Sequence, residues 1–129
     1  MVLLDTHTLL WVFTDSEKLS QPAIDSIISN ERYVSIASFW EIAIKSSLPN
    51  EARRIHLSLS ISDLEKECIR QSISILPITP GDCELVQTLP YIHMDPFDRI
   101  IIAQAINNKM ELITKDQIIW RYNAVQKIW

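Results

Sequence analysis

Four acids stand where a short apolar run has just ended or an amphipathic run has just begun: Asp5, Glu41, Asp98 and Asp116. Asp5 follows Val2-Leu3-Leu4 directly, and Asp116 lies just beyond Leu112-Ile113-Thr114. Glu41 comes after Tyr33-Val34-Ser35-Ile36 and reads as first-turn in its helix; Asp98 does the same after Asp95-Pro96. Carboxylates crowded into a partly desolvated cleft repel one another, so they need a cation or a proton. Hard cations such as Mg²⁺ and Mn²⁺ take oxygen ligands and keep several waters. Such an ion generates hydroxide from water and stabilises charge on a phosphate in transfer, with no Ser, Cys or His nucleophile.

Each acid taken alone also has a plain structural reading. Ser38-Phe39-Trp40-Glu41 fits a capping box, with Ser38 as cap. Glu41 can pair with Lys45 one turn on. In Asp95-Pro96-Phe97-Asp98 the first acid caps, Pro96 takes the first helical position and Asp98 faces the helix dipole. Asp5 and Asp116 can each cap the next turn of chain. Ser62-Asp63-Leu64-Glu65 repeats the box pattern with no chemistry attached. Two details weigh the other way. Asp5 leaves a buried strand near the middle of a sheet, where a charge is costly unless offset. Asp98 is redundant as a cap if Asp95 already serves.

The elements that must position these acids alternate. Strands are expected at Val2–Leu4, Tyr33–Ile36, Ile73–Leu76, Glu111–Thr114 and Ala124–Ile128, the last on an edge. Helices are expected at Thr8–Thr14, Pro22–Asn30, Phe39–Ser47, Ser62–Ser72, Gly81–Leu89 and Pro96–Asn108, with Asn108 as a left-handed stop. Residues 49–60 give no clear element. This alternation means an α/β fold: a parallel sheet with helices on both faces. Ligands in such folds bind beyond the carboxyl ends of the strands. The acids would share that rim.

The 129 residues, 47% of them apolar, read as one domain spanning 1–129. A net charge of −4 argues against gripping nucleic acid by bulk positive charge. An acid-lined metal site remains compatible with it, and any RNA contact would be local. No apolar run approaches the ~20 residues of a membrane span. The start, Met-Val-Leu-Leu-Asp, has no basic region or cleavage signal. Cys68 and Cys83 lack metal-ligand spacing and read as reduced residues of a cytoplasmic protein.

Four stretches resemble the motifs of PIN domains, in order and across nearly the whole chain. They are Asp5-Thr6-His7-Thr8-Leu9-Leu10-Trp11, Ser38-Phe39-Trp40-Glu41-Ile42-Ala43-Ile44-Lys45, His93-Met94-Asp95-Pro96-Phe97-Asp98-Arg99 with the apolar run after it, and Leu112-Ile113-Thr114-Lys115-Asp116. The chain is most similar to the VapC-like toxins of bacterial toxin–antitoxin pairs. That resemblance implies a three-layer α/β/α sandwich with a central, mostly parallel sheet. It implies Mg²⁺- or Mn²⁺-dependent cleavage of RNA, a homodimer and a cognate antitoxin that blocks the site. By position, Asp5, Glu41, Asp98 and Asp116 would be the acidic quartet. Asp5, Asp98 and Glu41 would hold the metal, with Thr6 and Thr114 as supporting hydroxyls. Two departures stand out: Met94 where relatives often carry a basic residue, and Pro49-Asn50-Glu51 where they often carry a Gly-containing turn.

Lys45, Arg99, Lys115 and Arg121 lie beside the acids in sequence, either to hold phosphates or to ion-pair with the carboxylates. Trp11 and Trp40 are expected in the core, with base stacking the minor alternative. His93 is expected to shape its turn or support the site rather than bind metal. A phosphoacceptor receiver domain needs paired acids after its first strand, and only Asp5 stands there. A dinucleotide module needs a Gly-rich turn, and the chain has one Gly. The remaining rival is a non-catalytic PIN-like association module, against which the intact quartet argues.

Overall fold

The computed structural model describes residues 1–129. Its strands are β1 (Val2–Leu4), β2 (Arg32–Ser35), β3 (Ile73–Leu76), β4 (Glu111–Ile113) and β5 (Lys127–Ile128). Its helices are α1 (Thr6–Thr14), α2 (Gln21–Ser29), α3 (Ile36–Ser46), α4 (Ile61–Arg70), α5 (Pro80–Thr88) and α6 (Pro96–Asn107). The strands form one sheet in the order β3-β2-β1-β4-β5, and every pairing is parallel.

The sheet divides two apolar layers. Val2 and Leu4 point to one side, with Val34 and Ile113, and meet Leu9, Ile27, Phe39, Ile42 and Leu64. Leu3 and Leu112 point to the other side and meet Ile101, Ile102, Ala105, Ile119 and Tyr122. Alternate residues of a strand face opposite ways, so a strand with helices on both faces must be apolar throughout. Val2, Leu3 and Leu4 are all 0% exposed. The result is the expected three-layer α/β/α sandwich, with β1 at its centre. No helix is long and apolar enough to cross a membrane.

Several element ends differ from expectation, each for a local reason. α1 begins at Thr6, immediately after its cap Asp5. α3 begins at Ile36, because Ser35 ends its strand and accepts the Ala37 N–H at 3.0 Å. Ser38 is therefore no cap, and Glu41 lies in the second turn rather than the first. The Ser62–Glu65 box does not form either: Ser60 caps α4, accepting from the Asp63 N–H at 3.0 Å. The box that does form joins Thr79 and Asp82 at the start of α5. After α6, Asn108 keeps φ −95°, and Lys109 is the left-handed residue at φ 54°. Residues 49–60 hold a short 3₁₀ turn, Glu51–Arg53, anchored by Arg54 Nε donating to Leu48 O at 2.8 Å. The final strand is shorter than expected, but it is an edge strand.

Candidate metal centre

The parallel register brings the strand ends to one rim. Leu4 stands beside Val34 and Ile113, so β1 and β4 finish level and β2 runs one residue further, to Ser35. Asp5 leaves β1 there, 5% exposed, and caps α1: its Oδ1 accepts the Thr8 N–H at 2.6 Å. Burial pushes its carboxyl up from the ordinary range, against the Thr114 hydroxyl and the Thr8 amide and hydroxyl, which favour the anion.

Glu41 reaches the rim from α3, 1% exposed. The Thr6 hydroxyl donates to its Oε1 at 2.5 Å and lies 2.9 Å from Ser38 Oγ. The Lys45 ammonium pairs with its Oε2 and lies 3.4 Å from Asp95 Oδ2. Partial burial works against the ammonium, but Glu41 and Asp95 outweigh it, and Lys45 holds its proton more tightly than usual.

Asp98 sits in the first turn of α6, behind the cap Asp95, whose Oδ1 accepts the Phe97 N–H at 2.9 Å. Burial raises the Asp98 carboxyl to about 8, with further push from Glu41, Asp95, Asp5 and Asp116. That one group registers the charge of every other acid in the set. Asp116 follows β4, and its Oδ1 accepts the Ile118 N–H at 2.8 Å. Its own N–H donates to Thr114 Oγ1 at 3.1 Å. Of the four sequence-derived acids, Asp98 and Asp116 meet at His93, Asp5 shares a cleft wall with Asp116, and Glu41 stands near enough for its charge, with that of Asp95, to act on Asp98.

His93 both shapes its turn and supports the acids, as expected. Its Nε2 is 2.8 Å from Asp116 Oδ2 and 3.4 Å from Asp98 Oδ2. Its Nδ1 accepts the Asp95 N–H at 3.1 Å, so the ring proton belongs on Nε2. The imidazole donates to the carboxylates; it does not offer them a lone pair. Its position in the His93–Asp98 turn was the one available sequence signal.

Arg99 does neither job considered for it. It is 7% exposed, and its guanidinium donates to the carbonyls of Val86 at 3.0 Å and Pro90 at 3.1 Å. It holds the 86–93 segment from within, touching no carboxylate. Trp40 is not in the core: it is 61% exposed and packs edge-on against Phe97 at 5.1 Å. It lines an apolar groove of about 430 Å³ with Ile78, Val86, Met94 and Phe97.

The donor set fits a hard divalent cation. Carboxylate oxygens predominate: Asp98 and Asp116 present theirs within 4.8 Å of each other and of the His93 ring nitrogen that donates to them. Burial and the neighbouring acids raise the Asp98 carboxyl to about 8, and a cation held among these oxygens would favour its anion.

A family model for the PIN domain matches residues 2–125, and the chain belongs to that family. Over 118 residues it is 30% identical to Ribonuclease VapC22 of Mycobacterium tuberculosis, covering 90% of this chain and 87% of that protein. Its fold is similar to VapBC2 from Rickettsia felis, crystallised with a promoter DNA fragment, at TM-score 0.68 and 14% identity, covering 98% and 97% of the two chains. A DNA-bound VapBC from Salmonella typhimurium gives TM-score 0.64 at 14% identity, with the same coverage.

Proposed function

We propose that the chain is a divalent-metal-dependent ribonuclease acting as the toxin of a toxin–antitoxin pair. The observation that carries this reading is the grouping of buried carboxylates at one rim: Asp98 and Asp116 meet at His93, Asp5 and Asp116 line one cleft, and burial first and then Glu41, Asp95, Asp5 and Asp116 raise the Asp98 carboxyl. Mere association with a protein gives no reason to bury so many like charges together.

In this reading Asp5, Asp98 and Glu41 hold Mg²⁺ or Mn²⁺, and Asp116 helps position it. The ion supplies an activated water and charge neutralisation at the scissile RNA phosphate. The protein's own groups prepare the cradle. Thr6 and Lys45 fix the two oxygens of Glu41. Thr8 and Thr114 steady Asp5 as an anion. His93 steers Asp116. Asp98, raised to about 8 by burial and its neighbours, would bind the ion as the anion.

The similarity to a ribonuclease and to toxins crystallised with their antitoxins supports an RNA substrate and a cognate antitoxin as partners. We assign the apolar groove around Trp40 to a second copy of the chain. Tyr91 (73% exposed) and Met94 (76% exposed) line it, so a second copy would cover apolar side chains that the single chain leaves to water. Sedimentation of Trp40→Glu against the parent tests this: a dimer that persists in the variant refutes the assignment. Two unpaired cysteines, Cys68 and Cys83, agree with a reducing cytoplasm.

The deciding experiment is Asp5→Asn on purified protein. Cleavage of RNA in Mg²⁺ should fall more than about 100-fold while the chain stays folded. An unchanged rate would end the proposal, as would undiminished cleavage in excess chelator.

A further inference from the structure

Beside the acids lies an open cleft of about 260 Å³ lined by Asp5, His7, Trp11, Lys115 and Asp116. The sheet builds it. Leu4, Ile113 and Ile128 lie in register on β1, β4 and β5. The next residues, Asp5, Thr114 and Trp129, therefore leave the sheet side by side. Lys115 follows Thr114, and α1 carries His7 and Trp11 one turn apart on the same face.

Trp11 was expected in the core, but it packs on neither apolar layer, although Val12 and Phe13 beside it do. Its ring neighbours are His7 at 6.0 Å and Trp129 at 5.5 Å, both tilted rather than stacked on it, and the ring lines the cleft. The Lys115 ammonium stands 6.0 Å from the Trp11 ring and 5.9 Å from the Trp129 ring. Of the four cations beside the acids, Lys45 is tied to Glu41 and Asp95 and Arg99 to backbone carbonyls, and of the remaining two, Lys115 and Arg121, only Lys115 lines this cleft.

We infer that this cleft is a subsite for one nucleotide of single-stranded RNA flanking the scissile phosphate, with its base on Trp11 and its phosphate on Lys115. The inference rests on the ribonuclease reading above. An indole face accepts any base, and a lone ammonium accepts a phosphate without reading sequence. Such a contact also answers the net charge of −4: a local cation replaces a basic surface. Asp5 and Asp116 form the inner wall, so a nucleotide seated here presents its adjoining phosphodiester to the metal centre.

The test uses a short single-stranded RNA carrying 2-aminopurine, bound in Mg²⁺ to full-length protein made inactive by Asp98→Asn. Stacking on an indole quenches this base. The parent should quench it. Trp11→Leu should lose the quench and bind about 10-fold more weakly, while Trp11→Phe keeps most of both. Lys115→Gln, at an exposed position, should weaken binding and reduce the slope of log K against log salt by about 0.7. Lys66→Ala on α4 is the neutral control. Undiminished quenching in Trp11→Leu, or an unchanged salt slope in Lys115→Gln, overturns the subsite. The two readings fail separately. If active protein cleaves RNA but Trp11→Leu binds like its parent, only the subsite falls. If active protein cleaves no RNA, the ribonuclease reading falls whatever the quench shows.

Discussion

The Nε2–H of His93 points at Asp116 Oδ2 from 2.8 Å, because the Asp95 N–H occupies the other ring nitrogen. The ring thus links the cap of α6 to the acid that follows β4. The ring is the donor that holds Asp116 on the Asp98 side of the site.

This arrangement predicts opposite outcomes for two substitutions. His93→Gln keeps an N–H donor near the Nε2 position and should retain most metal affinity. His93→Ala frees Asp116 and should weaken Mn²⁺ binding about 10-fold, the usual cost of losing an outer partner of a ligand. Calorimetric titration measures both. Nitrogen-15 spectra of the ring supply the second check: the Nε2–H form should persist after Mg²⁺ is added. Transfer of the proton to Nδ1 on metal addition would make His93 a ligand and refute the donor role.

Asp98 predicts how stability follows pH. Its carboxyl holds a proton to about 8 in the folded chain, against an ordinary value of 3.8. Between those values the native state binds the extra proton, so this group's stabilisation is complete below about pH 4 and lost as pH rises through about 8. Asp5 is raised too and acts in the same direction. Metal-free protein should therefore melt lower at pH 8.5 than at pH 6. Mg²⁺ should raise Tm at both, and more at pH 8.5, where Asp98 need not be deprotonated first. Asp98→Asn should flatten the metal-free pH profile and abolish most of the metal gain. A parent profile as flat as that of Asp98→Asn would contradict the crowding of charge at this site.

The sheet and the convergence of acids were legible because they depend on periodicity and strand ends. A fully apolar Val2-Leu3-Leu4 can only be a strand covered on both faces, so Asp5 had to emerge at the rim. Cap positions were less legible. Ser35, Ser38, Ser60 and Ser62 are all good caps by type, and only the strand end or the loop path selects between neighbours. Ser38 instead sits buried next to Thr6, in the hydroxyl chain that reaches Glu41. The roles of the cations were illegible for a different reason. Arg99 lies next to Asp98 in sequence, but residues i and i+1 of a helix point apart. Nothing in the one-dimensional pattern says that the Val86–His93 carbonyls wait on the other side.

That placement makes Arg99 a test of structure against chemistry. A buried guanidinium donating to several carbonyls cannot be removed without leaving them unsatisfied. Arg99→Ala should cost about 3 kcal/mol and lower Tm by roughly 10 °C. Arg99→Lys should recover little, since an ammonium cannot reproduce the planar fork that spans Val86 and Pro90. A phosphate-binding arginine would behave in the reverse way, with Tm unchanged and KM for RNA raised. Thermal melts beside steady-state kinetics on the same preparations separate the two. A large thermal loss with near-parent KM in the surviving folded fraction is the expected result, and it leaves Lys115 as the cation that lines the cleft beside the acids.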